Sequence, residues 1–132
     1  MCIRDSYTDT PGDGLPSLCR KVLVGGATVN MTTECIAAGI ENLQVEYGID
    51  SSGDGSVDSY VSSPTQAERE TTVSVRVFLL ARTSDADPGY TADKTYTLSN
   101  ATSFSPTDSF RRRVYTTTVS VPNVRNRMLI GL

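Results

Sequence analysis

Residues 50–58 read DSSGDGSVD and carry three aspartates at four-residue spacing with two glycines among them. Carboxylates, hydroxyls and a backbone carbonyl in that order suit a hard cation, because calcium gathers oxygen ligands in a flexible shell. Against the calcium-loop pattern D-x-[DN]-x-[DN]-G, Asp50 takes position one, Ser52 three, Asp54 five and Gly55 six. The Ser56 carbonyl then takes position seven and Asp58 nine. Position twelve, where an EF-hand needs a bidentate glutamate, is Val61, and no helices are expected on either side, so an EF-hand is excluded. Two readings stand. One is a weak calcium loop formed by Asp50, Ser52, Asp54, Ser56 and Asp58, with affinity on the order of millimolar. The other is a metal-free hairpin turn, since aspartate bonds nearby backbone and glycine accepts positive φ.

Little else in the chain could do chemistry. There is no histidine, which excludes a Ser-His-Asp triad, a Cys-His pair and a His-ligated zinc site within this sequence. Phosphate-binding and nucleophile-elbow glycine motifs are absent, and no pair of acids stands out from solvated surface carboxylates, so an enzyme is not expected. Setting Cys2 aside, Cys19 and Cys35 are either a bridge closing a loop of about sixteen residues, worth roughly 3 kcal/mol, or two independent buried thiols. A bridge would imply an oxidising compartment. The formal net charge of −3 offers no positive field for nucleic acid or an acidic membrane, so neither is an expected direct partner. Arg111, Arg112 and Arg113 form the one basic run and read as a solvated strand start. The sequons at Asn30 and Asn100 are too short to carry weight. No run approaches the eighteen or so apolar residues of a membrane span.

The elements that must position these residues are strands. At 132 residues the chain suits one domain, and its wealth of Thr, Ser, Val and Gly favours strands and turns. Residues 7–17, rich in Gly, Pro, Asp and Thr, read as loop. LCRKVLV (18–24) reads as a strand stopped by Gly25 and Gly26, and MTTECIAAGI (31–40) as holding a short helical turn. From residue 40, Leu43, Val45, Tyr47 and Ile49 alternate with Asn42, Gln44 and Glu46, which describes a strand with one buried side. The aspartate loop then turns the chain, and SVDSYVS returns as the hairpin partner. TTVSVRVFLLAR (71–82) places Val73, Val75, Val77 and Leu79 on one face and Phe78 and Leu80 on the other, the mark of a central strand. Residues 83–109 read as a polar insertion with one short strand at Lys94–Leu98. RRRVYTTTVSVP alternates again, with Arg113, Tyr115, Thr117, Val119 and Val121 on one face and Tyr47 and Tyr115 expected in the core. Without long amphipathic helices between the strands, an antiparallel sheet is expected.

The order of four segments resembles that of PilW-type minor pilins of the type IV pilus assembly machinery. They are DGLPSLCRK (13–21), GIENLQVEYGIDSSGDGSVDSYVS (39–62), VSVRVFLLARTS (73–84) and FRRRVYTTTVSVPNVRN (110–126). The resemblance implies an α+β pilin-like fold in which a long N-terminal helix lies against an antiparallel sheet. Here it implies the β-rich head at 13–126, with that helix missing, a tail at 127–132, and an artefactual or disordered segment at 1–12. The opening MCIRDS is similar to a prefix that recurs on proteins predicted from assembled environmental reads, so the native N-terminus is expected outside this sequence. Without the helix, the row Leu43, Val45, Tyr47 and Ile49 is expected to be partly uncovered. The implied function is structural and non-catalytic. It is a minor pilin in the priming or tip complex, partnered by other minor pilins and pilus assembly proteins. The implied location is the bacterial cell envelope: an inner-membrane-anchored periplasmic head, reaching the membrane through the missing helix, and afterwards the pilus. Two alternatives are a secreted calcium-dependent adhesive β module and a type II secretion minor pseudopilin. No cofactor is implied beyond the calcium reading of the loop.

Overall fold

The computed structural model describes residues 4–9, 12, 14–26 and 28–121. Among them the chain is strand-built, with a single five-residue helix. It divides into two compact units. The first comprises the described chain up to Leu43, Leu79–Lys94 and Ser105–Val114; the second comprises Gln44–Phe78, Thr95–Phe104 and the described chain from Tyr115. The expected tail at 127–132 and residues 1–3 lie outside the described residues.

In the first unit, β1 (Arg4–Asp9), β2 (Ser17–Val24) and β3 (Asn30–Ala38) form an antiparallel sheet in that order. Two expectations change here. Residues 7–9, read as loop, complete β1 by pairing with Cys19, Leu18 and Ser17, because a backbone ladder makes few demands on side-chain type. MTTECIAAGI holds no helical turn; through Ala38 it is strand, and every residue of β3 is exposed. A short helix there would bury no face to offset its costly nucleation, whereas the ladder to β2 satisfies the backbone and suits Thr32, Thr33 and Ile36.

The four-stranded sheet has the order β5-β4-β6-β9. Its strands are β4 (Ile40–Ile49), β5 (Ser59–Val61), β6 (Thr72–Arg82) and β9 (Arg112–Ser120). Residues of β4, β6 and β9 belong partly to each unit. In the first unit the Arg82 N–H donates to Gly39 O at 2.8 Å, and the Thr83 N–H to Arg111 O at 3.0 Å. In the second, the Asp50 N–H donates to Thr71 O at 3.0 Å and the Val121 N–H to Val73 O at 2.8 Å. These bonds run β4 and β9 antiparallel to β6, which is the central strand that apolar residues on both faces indicate.

Within the second unit, α1 (Gln66–Glu70) opens on a capping box: Thr65 Oγ1 accepts from the Glu68 N–H, and Glu68 Oε2 accepts from the Thr65 N–H. The polar insertion carries a hairpin instead of one strand, β7 (Tyr96–Ser99) with β8 (Thr102–Phe104). Leu98, 0% exposed, anchors it. The Asn100 N–H of this hairpin reaches Glu46 Oε1 on β4, and burial there departs from the alternation. Leu43, Val45 and Tyr47 are only half-buried, as are Val75, Val77 and Leu79, whereas Ile49 and Val73 of the same rows are buried at 3% and 5% exposure, so Ile49 is not uncovered as expected. The deepest positions of β4 include Glu46, which the alternation places on the polar side. Period two separates the two faces of a strand but does not say which one later chain will cover. Tyr115, expected in the core, is 51% exposed on β9.

Candidate functional site

The aspartate loop joins β4 to β5 as the hairpin connection, with Tyr47, Gly48 and Ile49 opposite Val61, Tyr60 and Ser59. Gly53 (φ 79°) and Gly55 (φ 87°) supply the left-handed backbone that a branched residue would resist. Asp50 is buried at the start of the loop, and both its oxygens are engaged. Oδ1 accepts from Ser52 Oγ (3.2 Å) and the N–H groups of Gly53 (2.7 Å) and Asp54 (3.2 Å), while Oδ2 accepts from the Gly55 N–H (2.7 Å). Burial pushes this carboxyl up, but those hydrogen bonds outweigh it and hold it below the ordinary aspartate range. Asp58 Oδ2 gathers the Ser51 N–H and Oγ and the Ser52 N–H at 2.8–2.9 Å, and the Ser51 hydroxyl leads in lowering its pKa. Asp54 Oδ1 accepts from the Ser56 N–H at 2.7 Å. The five residues of the calcium reading are thus brought into one loop, where the carboxylates bind backbone N–H groups and hydroxyls. Among the described residues, no three acidic, histidine or cysteine side chains converge as a metal-binding group.

Cys19 and Cys35 face each other across β2 and β3, and their sulfurs are bonded. Cys19 is 0% exposed and Cys35 exposed.

Two charged centres escaped sequence reasoning. In the second unit Glu46, 1% exposed, accepts the Asn100 N–H on Oε1 at 2.6 Å, a bond from the β7–β8 turn. Its Oε2 has no hydrogen-bond partner and lies 3.6 Å from Arg76 Nη1; the Arg76 guanidinium stacks 3.6 Å over the Tyr60 ring. In the first unit Arg112, expected to be solvated, has a side chain 0% exposed. It forks onto two acids. Glu41 takes Nε at 2.5 Å and Nη2 at 2.9 Å, while Asp108 takes Nη1 and Nη2 at 2.6 Å each. Hydrogen bonding to Arg112 holds Asp108 at about 2, and the same bonds raise the Arg112 pKa. Arg82 Nη1 lies 3.6 Å from Glu41, and its guanidinium stacks 4.1 Å over Phe110. The available signal was parity. In a strand the middle arginine of three points away from its neighbours, and Arg111 and Arg113 are both exposed.

The half-exposed row offers a surface instead of a reaction centre. In the second unit a groove of about 250 Å³ is lined by Tyr47, Arg69, Thr72, Val75 and Val121. Tyr47 and Arg69 also line a neighbouring groove with Ser62, Ser63 and Pro64. Apolar walls with one cation at the rim can bind by packing, and nothing there assembles a nucleophile with a base. No helix among the described residues is long and apolar enough to cross a membrane. No curated protein and no solved structure matches the chain. The family described as Type IV Pilus-assembly protein W matches residues 6–123, nearly the whole of the strand-built region. The chain therefore belongs to the type IV pilus-assembly protein W family.

Proposed function

We propose that this chain is the head of a minor pilin that helps to prime type IV pilus assembly at the inner membrane and ends in the pilus. It acts by packing against other minor pilins and assembly proteins and performs no catalysis. The observation that carries the reading, beside family membership, is the apolar row on adjacent strands. Within the second unit, Val45 and Tyr47 of β4 and Val75 and Val77 of β6 stay half-exposed, although such residues gain most from burial. In the full-length protein a pilin-like N-terminal helix covers this row, and residues 13–126 form the head that it carries. The acids of the aspartate loop shape the hairpin presented by that head.

The test is a deletion of the gene in its own bacterium, with surface pili counted by shear preparation and immunoblot. Piliation is expected to fall and to return with the full-length gene. Complementation by a Val45→Asp, Val77→Asp copy, with protein level monitored, is expected to fail. Unchanged piliation in the deletion strain would sink the proposal.

A further inference from the structure

β3 is a nine-residue edge strand on which no residue is buried, so side-chain burial contributes little to holding it. Its ties to β2 include the ladder, the Thr32 hydroxyl donating to Val22 O at 3.4 Å, the exposed Arg20–Glu34 ion pair at 2.8 Å, and the Cys19–Cys35 bridge. Exposed ion pairs contribute little, so the covalent link is the strong term. The two residues differ in exposure: Cys19 is 0% exposed, whereas Cys35 is exposed on the edge strand. Beyond β3, the chain is fixed at Gly39. Its N–H donates to Pro16 O and its carbonyl accepts from the Arg82 N–H, both at 2.8 Å, and an added Cβ would meet Arg82 O at 3.0 Å.

We propose that Cys35 is a thiol-exchange site, attacked by small thiols or dithiols, and that opening the bridge releases β3 while the chain beyond Gly39 stays in place. The thiolate attacks Cys35 Sγ in line with the S–S bond. That bond breaks, a mixed disulfide forms on Cys35, and Cys19 leaves with the bonding pair and takes up a proton. The released thiol has an acceptor in place, because Ser17 O lies 3.7 Å from Cys19 Sγ. With a dithiol, its second thiolate attacks the mixed disulfide and displaces Cys35 as a thiol. The reagent is oxidised to its own disulfide, and two electrons pass into the protein bridge. Attack at Cys19 is blocked by the packing around it.

The experiment uses the full chain carrying Cys2→Ser, so that the bridge holds its remaining cysteines. Brief exposure to glutathione, acid quenching and peptide mass spectrometry should find the glutathione adduct on Cys35. Reduction with dithiothreitol in native buffer should then speed amide exchange in 30–38 by about a hundredfold, the constraint expected of a loop this size. Exchange in 40–49 and 72–82 should stay unchanged. The Cys19→Ser, Cys35→Ser protein should reproduce that pattern without reductant. An adduct on Cys19, unchanged exchange in β3, loss of protection across β4 and β6, or a double variant that does not fold would each overturn the proposal.

Discussion

Replacing Arg112 by methionine tests whether the buried guanidinium is a structural necessity of the first unit. The side chain is 0% exposed and makes four hydrogen bonds to two carboxylates, with a fifth to the Phe110 carbonyl at 3.2 Å. Methionine fills similar volume but strands both acids. Removing one partner of a buried pair costs about 3–5 kcal/mol. Here Glu41 is 18% and Asp108 40% exposed, and Arg82 remains near Glu41, so water and that second cation soften the loss. The expectation is therefore about 3 kcal/mol, or about 10 °C in the thermal midpoint for a chain of this length. Thermal and urea unfolding by circular dichroism measure it. Arg112→Lys keeps the charge but loses the planar fork and should recover less than half of the difference. Acid titration supplies a second readout. Asp108 falls from the ordinary 3.8 to about 2 in the folded protein, so its stabilisation is full above about pH 4 and disappears as pH falls through about 2. With Asp108 partly exposed and screened, that contribution is about 1 kcal/mol. The pH 4 to pH 2 decline should be shallower in Arg112→Met. A loss below about 1 kcal/mol, or an unchanged acid limb, would make Arg112 an ordinary surface arginine.

Glu46→Ala should cost about 2 kcal/mol by stranding the Asn100 N–H, with exchange at that amide rising first, whereas Glu46→Gln keeps an acceptor and should cost less. In Gly48→Ala the new methyl would meet Val57 Cγ2 at 2.9 Å, Ser74 Cβ at 3.0 Å and Tyr60 Cε1 at 3.1 Å, so a loss of about 1–3 kcal/mol is expected in urea unfolding. Because backbone N–H groups already engage Asp50 and Asp58, calorimetry should find no calcium heat near millimolar concentration. A heat that disappears in Asp54→Ala would instead restore the calcium reading of the loop.

Several features were legible in the sequence because they are local. Alternation marks β4, β6 and β9, Asp and Gly mark the hairpin between β4 and β5, and T-Q-A-E at 65–68 spells the capping box that opens α1. The helical turn expected at 31–40 failed because short apolar stretches fit helix and strand equally well, and pairing to β2 decided between them. Burial of Glu46 depends on a hairpin some fifty residues later in the chain, and burial of Arg112 on acids at 41 and 108. The bond between Cys19 and Cys35 likewise depends on the register of two strands. By itself the sequence determined which segments extend, where they turn and how each strand divides into two faces, since torsional preference and period two are properties of neighbouring residues. Only the tertiary structure decided which face is covered and which charges are paired, because desolvation and ion pairing depend on what the rest of the chain brings within a few ångströms.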